Sequence, residues 1–347
     1  MTSISPGSLP ISRHSAPLQP ANGSYRAAWW LPDPHTATLW GRVGRREPPL
    51  QHRLERWDTP DGDFVELARV DSPHGPDAPR VLLLHGLEGG LHSHYARAMF
   101  REARARGWAA DLLLFRTCGT EPNRLPRSYH SGETSDPRWV IDQLVERYPN
   151  APLGLVGVSL GGNVLCKLLG ETAGALPPQV IGAVAMSVPY DLARASLHIG
   201  RGFGAVYVRS FLKSLVPKAL SKIDRHPELA PLRRVANARS LWEFDDAFTA
   251  PLHGFENAED YYARASALNY LREIRTPTLL LNAADDPFIP PDVLDDVQAM
   301  VAENPFVETE FPARGGHVGF TAGPWPWKAW YYGEWRALEF LASQMRD

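Results

Sequence analysis

Cysteine is almost missing from this 347-residue chain, which has only Cys118 and Cys166, far apart in sequence. Two such residues make neither a disulfide framework nor a cysteine metal site, and they fit a reducing, cytoplasmic setting. Long apolar runs are missing too. None approaches the roughly 18 residues of a membrane span, and the N-terminus lacks the uninterrupted apolar core of a secretory signal. Charge of one sign is scarce: 36 basic against 39 acidic residues leave a formal net charge of -3. That balance excludes a chain whose overall charge draws it to nucleic acid. No acidic residue precedes Asp33, as in a transit peptide, but four prolines in the first 20 residues oppose an amphipathic helix. Residues 1–26 therefore read as a flexible tail.

What remains has the composition of a soluble globular protein, with 44% hydrophobic and 22% charged residues. One large α/β domain over residues 27–347 accommodates it. The stretch that organises this domain is Gly157-Val158-Ser159-Leu160-Gly161-Gly162-Asn163. A short apolar run, Leu153-Gly154-Leu155-Val156, precedes it, and Val164-Leu165-Cys166-Lys167-Leu168-Leu169 follows as the start of a buried helix. Strand, G-x-S-x-G and helix in that order are what a nucleophile elbow requires. The turn is too tight for side chains beside the serine, hence the glycines.

Around the elbow the pattern alternates. Residues 50–70 form a hairpin turning at Asp61-Gly62, and residues 72–79 a Pro/Gly-rich linker. Residues 80–84, 108–115, 180–186, 278–283 and 306–311 read as further strands, with helices between them. This implies an α/β architecture: a mostly parallel, doubly wound sheet with right-handed crossovers. From about 189 to 268 no strand is legible, and a helical cap insertion over the strand ends is expected. Pro217 speaks against one unbroken helix over 207–223.

A serine hydroxyl needs a base to take its proton, and the base needs a carboxylate to hold its tautomer. Both belong after Ser159, at the carboxyl ends of later strands. Asp285 and Asp286 follow the strand at 278–283, and His317 follows the last one. Asp286 is expected as the acid with Asp285 as the alternative, one of the pair being free to cap the next helix. His317 is expected as the base. Backbone N–H donors for the tetrahedral oxyanion are expected from Leu160 and from Leu87, in His85-Gly86-Leu87-Glu88-Gly89-Gly90. His92-Ser93-His94 lacks the acidic or thiol partners of a metal site, so neither metal nor cofactor is expected. The basic amphipathic segment 207–223 leaves room for peripheral membrane contact but reads as packed cap. The eleven tryptophans, clustered at 29–30 and 325–335, are expected in core and pocket wall.

These residues also resemble a known family, the YheT-like branch of the α/β-hydrolases, which includes the mammalian abhydrolase-domain proteins of the 1/2/3 group. The likeness rests on Trp29-Trp30-Leu31-Pro32, Pro60-Asp61-Gly62-Asp63 and the His85-to-Gly89 loop. It continues in Glu121-Pro122-Asn123-Arg124-Leu125, Tyr129-His130-Ser131-Gly132-Glu133-Thr134 and the elbow. Glu243-Phe244-Asp245-Asp246, Thr249-Ala250-Pro251-Leu252-His253-Gly254-Phe255, Asp285-Asp286-Pro287 and Gly316-His317-Val318-Gly319 complete it. The resemblance implies a triad of Ser159, Asp286 and His317. It also implies hydrolysis of carboxylic esters such as acylglycerols, phospholipids or short acyl esters. Some eukaryotic relatives carry an N-terminal membrane helix, which is not expected here. Ester-making relatives are linked with a His-x4-Asp motif, and no histidine here has an aspartate at that spacing.

The expectation is thus a cofactor-independent serine hydrolase acting on a small-molecule acyl ester. Acyl transfer to an alcohol, from the same acyl-enzyme, and a catalytically silent binding protein on the same fold are the alternatives. No pattern in 189–268 encodes the acyl group or an oligomeric state.

Overall fold

The computed structural model describes residues 25–45 and 50–345. Most of the expected tail, residues 1–24, lies outside them. Order begins before residue 27, because Tyr25 stacks on Tyr332 at 4.9 Å and meets Phe320 edge-on.

Helix α1 (Pro34–Val43) is capped by the Asp33 carboxylate, which accepts from the His35 and Thr36 amides. Strands β1 (Arg53–Asp58) and β2 (Phe64–Val70) pair as the expected hairpin, Asp58 facing Phe64. The turn residue Gly62 has φ +84°. The core strands follow: β3 (Arg80–Leu84), β4 (Ala109–Leu114), β5 (Leu153–Val158) and β6 (Val180–Met186). Helix α2 (His94–Ala105) joins β3 to β4, α3 (Ser135–Arg147) precedes β5, and α4 (Leu160–Thr172) follows it. Among the described residues these strands form one eight-stranded sheet with β7 (Thr278–Leu281) and β8 (Val307–Glu310), ordered β1-β2-β4-β3-β5-β6-β7-β8. From β4 to β8 every pairing is parallel. The chain has the expected α/β-hydrolase architecture.

The near-continuous apolar strands are buried on both faces, as in other parallel sheets. Leu82, Leu84 and Leu155 point to one core with Val140 and Leu144 of α3 and Val164 and Leu168 of α4. Val81, Leu83 and Val156 point to the opposite core with Met99 and Phe100 of α2. Parallel registry sets Leu84 beside Gly157 and Met186 beside Val158. The turns leaving β3, β5 and β6 therefore share one edge of the sheet, the edge where ligands bind in such folds.

Between β6 and β7 the chain is helical: α5 (Leu192–Ile199), α6 (Gly204–Arg225), α7 (Leu241–Phe244), α8 (Ala250–Leu252) and α9 (Ala258–Ala265). A π turn, Asp245–Thr249, joins α7 to α8. The doubt about a single helix through 207–223 is corrected, because α6 runs unbroken across Pro217. An interior proline costs about 3 kcal/mol. That cost is offset by burying Leu212, Leu215, Ala219 and Ile223, the larger at about 1.5–3 kcal/mol each. Pro217 itself lies on the exposed side.

Helices α10 (Pro291–Val301) and α11 (Tyr332–Ser343) complete the layers, α11 packing beside α2. The tryptophan expectation holds only in part. Trp57, Trp108 and Trp330 are buried, but Trp29, Trp325 and Trp327 are 63%, 43% and 76% exposed. These three pack on one another instead of the core: Trp29 meets Trp325 edge-on, and Trp325 stacks on Trp327.

Candidate active site

Ser159 sits on the sharp turn between β5 and α4 with φ 54° and ψ -121°. A non-glycine residue holds such a conformation only when its surroundings impose it. Here the Ser159 amide donates to Met186 O at 2.8 Å, and its carbonyl accepts from Gly162 and Asn163 at the start of α4. The glycines are needed for space. A Cβ on Gly157 would lie 2.4 Å from Gly161 O, and one on Gly161 would lie 2.3 Å from Leu84 O. Asn163 then anchors α4 from inside: its Nδ2 donates to Ser131 O and Ala265 O, and its Oδ1 accepts from Ala267 N.

His317 reaches the serine from the loop after β8. Its Nε2 is 2.9 Å from Ser159 Oγ, and its Nδ1 is 2.8 Å from Asp286 Oδ2. With the proton on Nδ1, the ring donates to the carboxylate and its Nε2 can accept from the hydroxyl, the arrangement a general base needs. Phe288 covers the imidazole face at 4.0 Å between centroids. The loop is held at several points. The His317 amide donates to Thr38 Oγ1 of α1, and the Val318 amide to Ser187 Oγ. Val318 (φ 57°) and Ser187 (φ 53°) are two further strained residues beside the serine.

The adjacent aspartates divide their tasks differently from expectation. Asp286, 3% exposed, faces His317 and accepts the Phe288 amide on its other oxygen. Asp285 accepts from the Gly315 and Gly316 amides at 2.8 and 2.9 Å, bracing the His317 loop. Neither caps the following helix, because α10 begins after Pro290.

The loop after β3 lies against the elbow. A Cβ on Gly86 would lie 3.1 Å from Ser159 Cβ. Within this loop the amides flanking Leu87 are engaged: Gly86 N and Glu88 N donate to the Tyr95 and Tyr129 hydroxyls, and Gly89 N to Gly86 O. Leu160 opens α4, so its N–H stands outside the helical ladder. Both leucines line the cavity at Ser159. His85 is a buried anchor. Its Nδ1 donates to Gly86 O, its Nε2 accepts from Phe115 N, and burial pushes its pKa down to about 4. The Cys118 thiol, pushed up to about 12 by burial, stays protonated at neutral pH.

The cavity holds about 150 Å³ and has Ser159 and His317 in its lining. Ile199, Phe211, Leu215, Ala219, Phe244 and Phe248 give it an apolar wall from the helices between β6 and β7. A polar side is built from Asp245, Thr249, His253, Tyr261 and Tyr262. Sequence reasoning missed several supporting residues. Thr38 lies 279 positions from the histidine it holds, and nothing local marks it. Tyr129 and Lys218 both grip Glu88: the tyrosine hydroxyl donates to Glu88 Oε1 at 2.9 Å, and Lys218 Nζ lies 2.8 Å from Oε2. The paired motifs at 60–63 and 121–125 are explained by Asp63, which accepts from Asn123 Nδ2 and from the Arg124 and Leu125 amides.

Comparison with known proteins agrees with this architecture. The alpha/beta hydrolase fold family matches residues 79–324. Escherichia coli YheT, which bears the provisional name of an esterase, is 40% identical over 83% of this chain and 84% of its own length. Mouse phospholipase ABHD3 is 31% identical over 89% of this chain and 76% of its own. Among solved structures, the Pyrococcus furiosus esterase Pf2001 superposes with a TM-score of 0.53 at 19% identity, covering 86% of this chain and 97% of that one. This last likeness concerns the fold alone.

Proposed function

The chain belongs to the α/β-hydrolase family, in its YheT-like branch, and from that premise we propose that it is a serine hydrolase cleaving carboxylic esters of fatty acids through an acyl-enzyme. The observation that carries this reading is the hydrogen-bonded line from Asp286 through His317 to Ser159, at 2.8 and 2.9 Å. Ser159 Oγ attacks the ester carbonyl while its proton passes to His317 Nε2. Asp286 keeps the other ring proton on Nδ1 and stabilises the imidazolium that forms. The tetrahedral oxyanion receives the Leu87 and Leu160 N–H groups. Collapse breaks the C–O bond, and His317 returns its proton to the leaving alcohol. Water, deprotonated by the same nitrogen, then attacks the acyl-serine and releases the acid.

The apolar wall supports an acyl chain of medium or long length as the preferred acid part. Esters of glycerol and phospholipids are the substrate classes of this reading. The residues between β6 and β7 act in it as the cap that closes over that chain. No cofactor is needed, because the polarising charge comes from backbone amides.

The test is hydrolysis of p-nitrophenyl esters of increasing acyl length by the wild type and by Ser159→Ala, Asp286→Asn and His317→Ala. The expected losses are about 10³–10⁶ in kcat, with a wild-type optimum at one chain length. Turnover persisting in Ser159→Ala would refute the assignment.

A further inference from the structure

Helix α6 has two faces, and the cavity uses only one. Phe211, Leu215 and Ala219 line the cavity. On the opposite side Val206, Arg209, Ser210, Lys213 and Pro217 are exposed at helical spacing. Phe203, just before the helix, and Leu197, in the last turn of α5, extend this outer surface. Leu197, Phe203 and Val206 are 52%, 48% and 56% exposed, far more than apolar residues need be in a packed cap.

Within the segment itself the charge has a single sign. From residue 192 to residue 223 the sequence has no aspartate or glutamate, while Arg194, Arg201, Arg209, Lys213, Lys218 and Lys222 are all basic. Three of these are already engaged. Arg194 bridges Asp292 and Asp296, Lys218 meets Glu88, and Lys222 donates to Leu125 O and Arg127 O. Arg201, Arg209 and Lys213 have no ion-pair partner among the described residues, and all three are exposed beside the apolar trio. Residues 1–24 contain no acidic side chain that could supply a counter-charge. The patch is also close to the chemistry. Phe203 lies 5.7 Å from Tyr207, Tyr207 lies 4.8 Å from Phe288, and Phe288 covers His317.

We propose that this outer face of α5 and α6 docks on the surface of a bilayer containing anionic phospholipid. Leu197, Phe203 and Val206 enter the headgroup boundary, and Arg201, Arg209 and Lys213 meet the lipid phosphates. Exposed apolar residues interleaved with unpaired cations, in a segment that itself contains no acid, are the composition of an interfacial segment. Each such cation contributes near an anionic membrane and is screened by salt. The overall charge of -3 does not oppose this, since screening makes the local patch decide. Docking here leaves the cavity, on the other face of the same helix, about 10 Å from the lipid surface. The inference uses no catalytic assignment.

The test is co-sedimentation of the full chain with vesicles of phosphatidylcholine plus phosphatidylserine, and of phosphatidylcholine alone. The wild type is expected to bind the anionic vesicles, to bind the neutral ones much more weakly, and to be released by salt. Arg201→Gln/Arg209→Gln/Lys213→Gln is expected to weaken binding by roughly 10- to 100-fold, and Leu197→Ser/Val206→Ser by roughly tenfold or more. Both variants should hydrolyse a water-soluble short-chain ester as the wild type does, and Ser159→Ala should bind vesicles normally. Loss of ester hydrolysis with intact vesicle binding would thus count against the chemistry alone. Equal binding by the wild type and the triple variant, or no binding to anionic vesicles, would overturn the proposal. So would a wild-type dimer that Leu197→Ser/Val206→Ser converts to monomer without any vesicle binding, which would make a second copy of the chain the occupant.

Discussion

Asp245 is a carboxyl group in a place that disfavours its charge. It opens the π turn between α7 and α8 and lines the cavity. Thr249 Oγ1 and Tyr262 OH each donate to it at 2.6 Å, and among the described residues no cation pairs with it. Burial raises its pKa from 3.8 to about 6, against the lowering effect of those two hydrogen bonds. A raised carboxyl pKa means that the folded state binds the proton more tightly than the unfolded chain does. Its favourable contribution is therefore complete below about pH 4, declines as pH rises, and is gone above the folded value. The change from 3.8 to about 6 corresponds to roughly 3 kcal/mol. Asp245→Asn removes the titration while keeping an acceptor for Thr249 and an amide that can donate to the Tyr262 oxygen. We expect the stability of the variant minus that of the wild type to increase by roughly 3 kcal/mol between about pH 4 and pH 6–7, and to be flat above. Denaturant unfolding of both proteins across this range measures it. Buried His85, His94, His130 and His253, held near 3–4, titrate in the same window with the opposite slope. They cancel in the difference. A difference that does not change with pH would refute the reasoning.

Two further outcomes concern the cavity. Tyr129→Phe removes the donor to Glu88 Oε1 and the acceptor of the Glu88 amide. It should cost about 1–3 kcal/mol of stability and, by loosening the Leu87 amide, about tenfold in kcat with KM little changed; denaturation and steady-state kinetics read the two effects separately. Ala219→Leu, on the apolar wall, should move the preferred acyl chain shorter and lower kcat/KM for the longest ester by about tenfold or more, as a p-nitrophenyl ester series would show.

The sheet was legible because its inner strands β3, β4 and β5 are buried on both faces and mostly apolar, and the glycines at 157 and 161 meet backbone that no Cβ could approach. That Ser159, Asp286 and His317 would meet was legible from chain order, since parallel strands deliver their ends to one edge. What was illegible depends on contacts distant in sequence. Pro217 reads as a break, yet the tertiary burial of its neighbours carries α6 across it. Asp285 and Asp286 are chemically equal in sequence, and only the position of Gly315 and Gly316 tells the brace from the partner of His317. The exposed trio of Trp29, Trp325 and Trp327 could not be told from core, because hydrophobicity does not say which apolar side chains find a partner layer.

Ser159 as nucleophile is the central claim, and a fluorophosphonate probe tests it most directly, followed by mass analysis of the digested protein. The account predicts one covalent adduct, on the peptide containing Ser159, formed by the wild type and absent from folded Ser159→Ala. An adduct on another residue, or a folded wild type that takes up no probe, would contradict it.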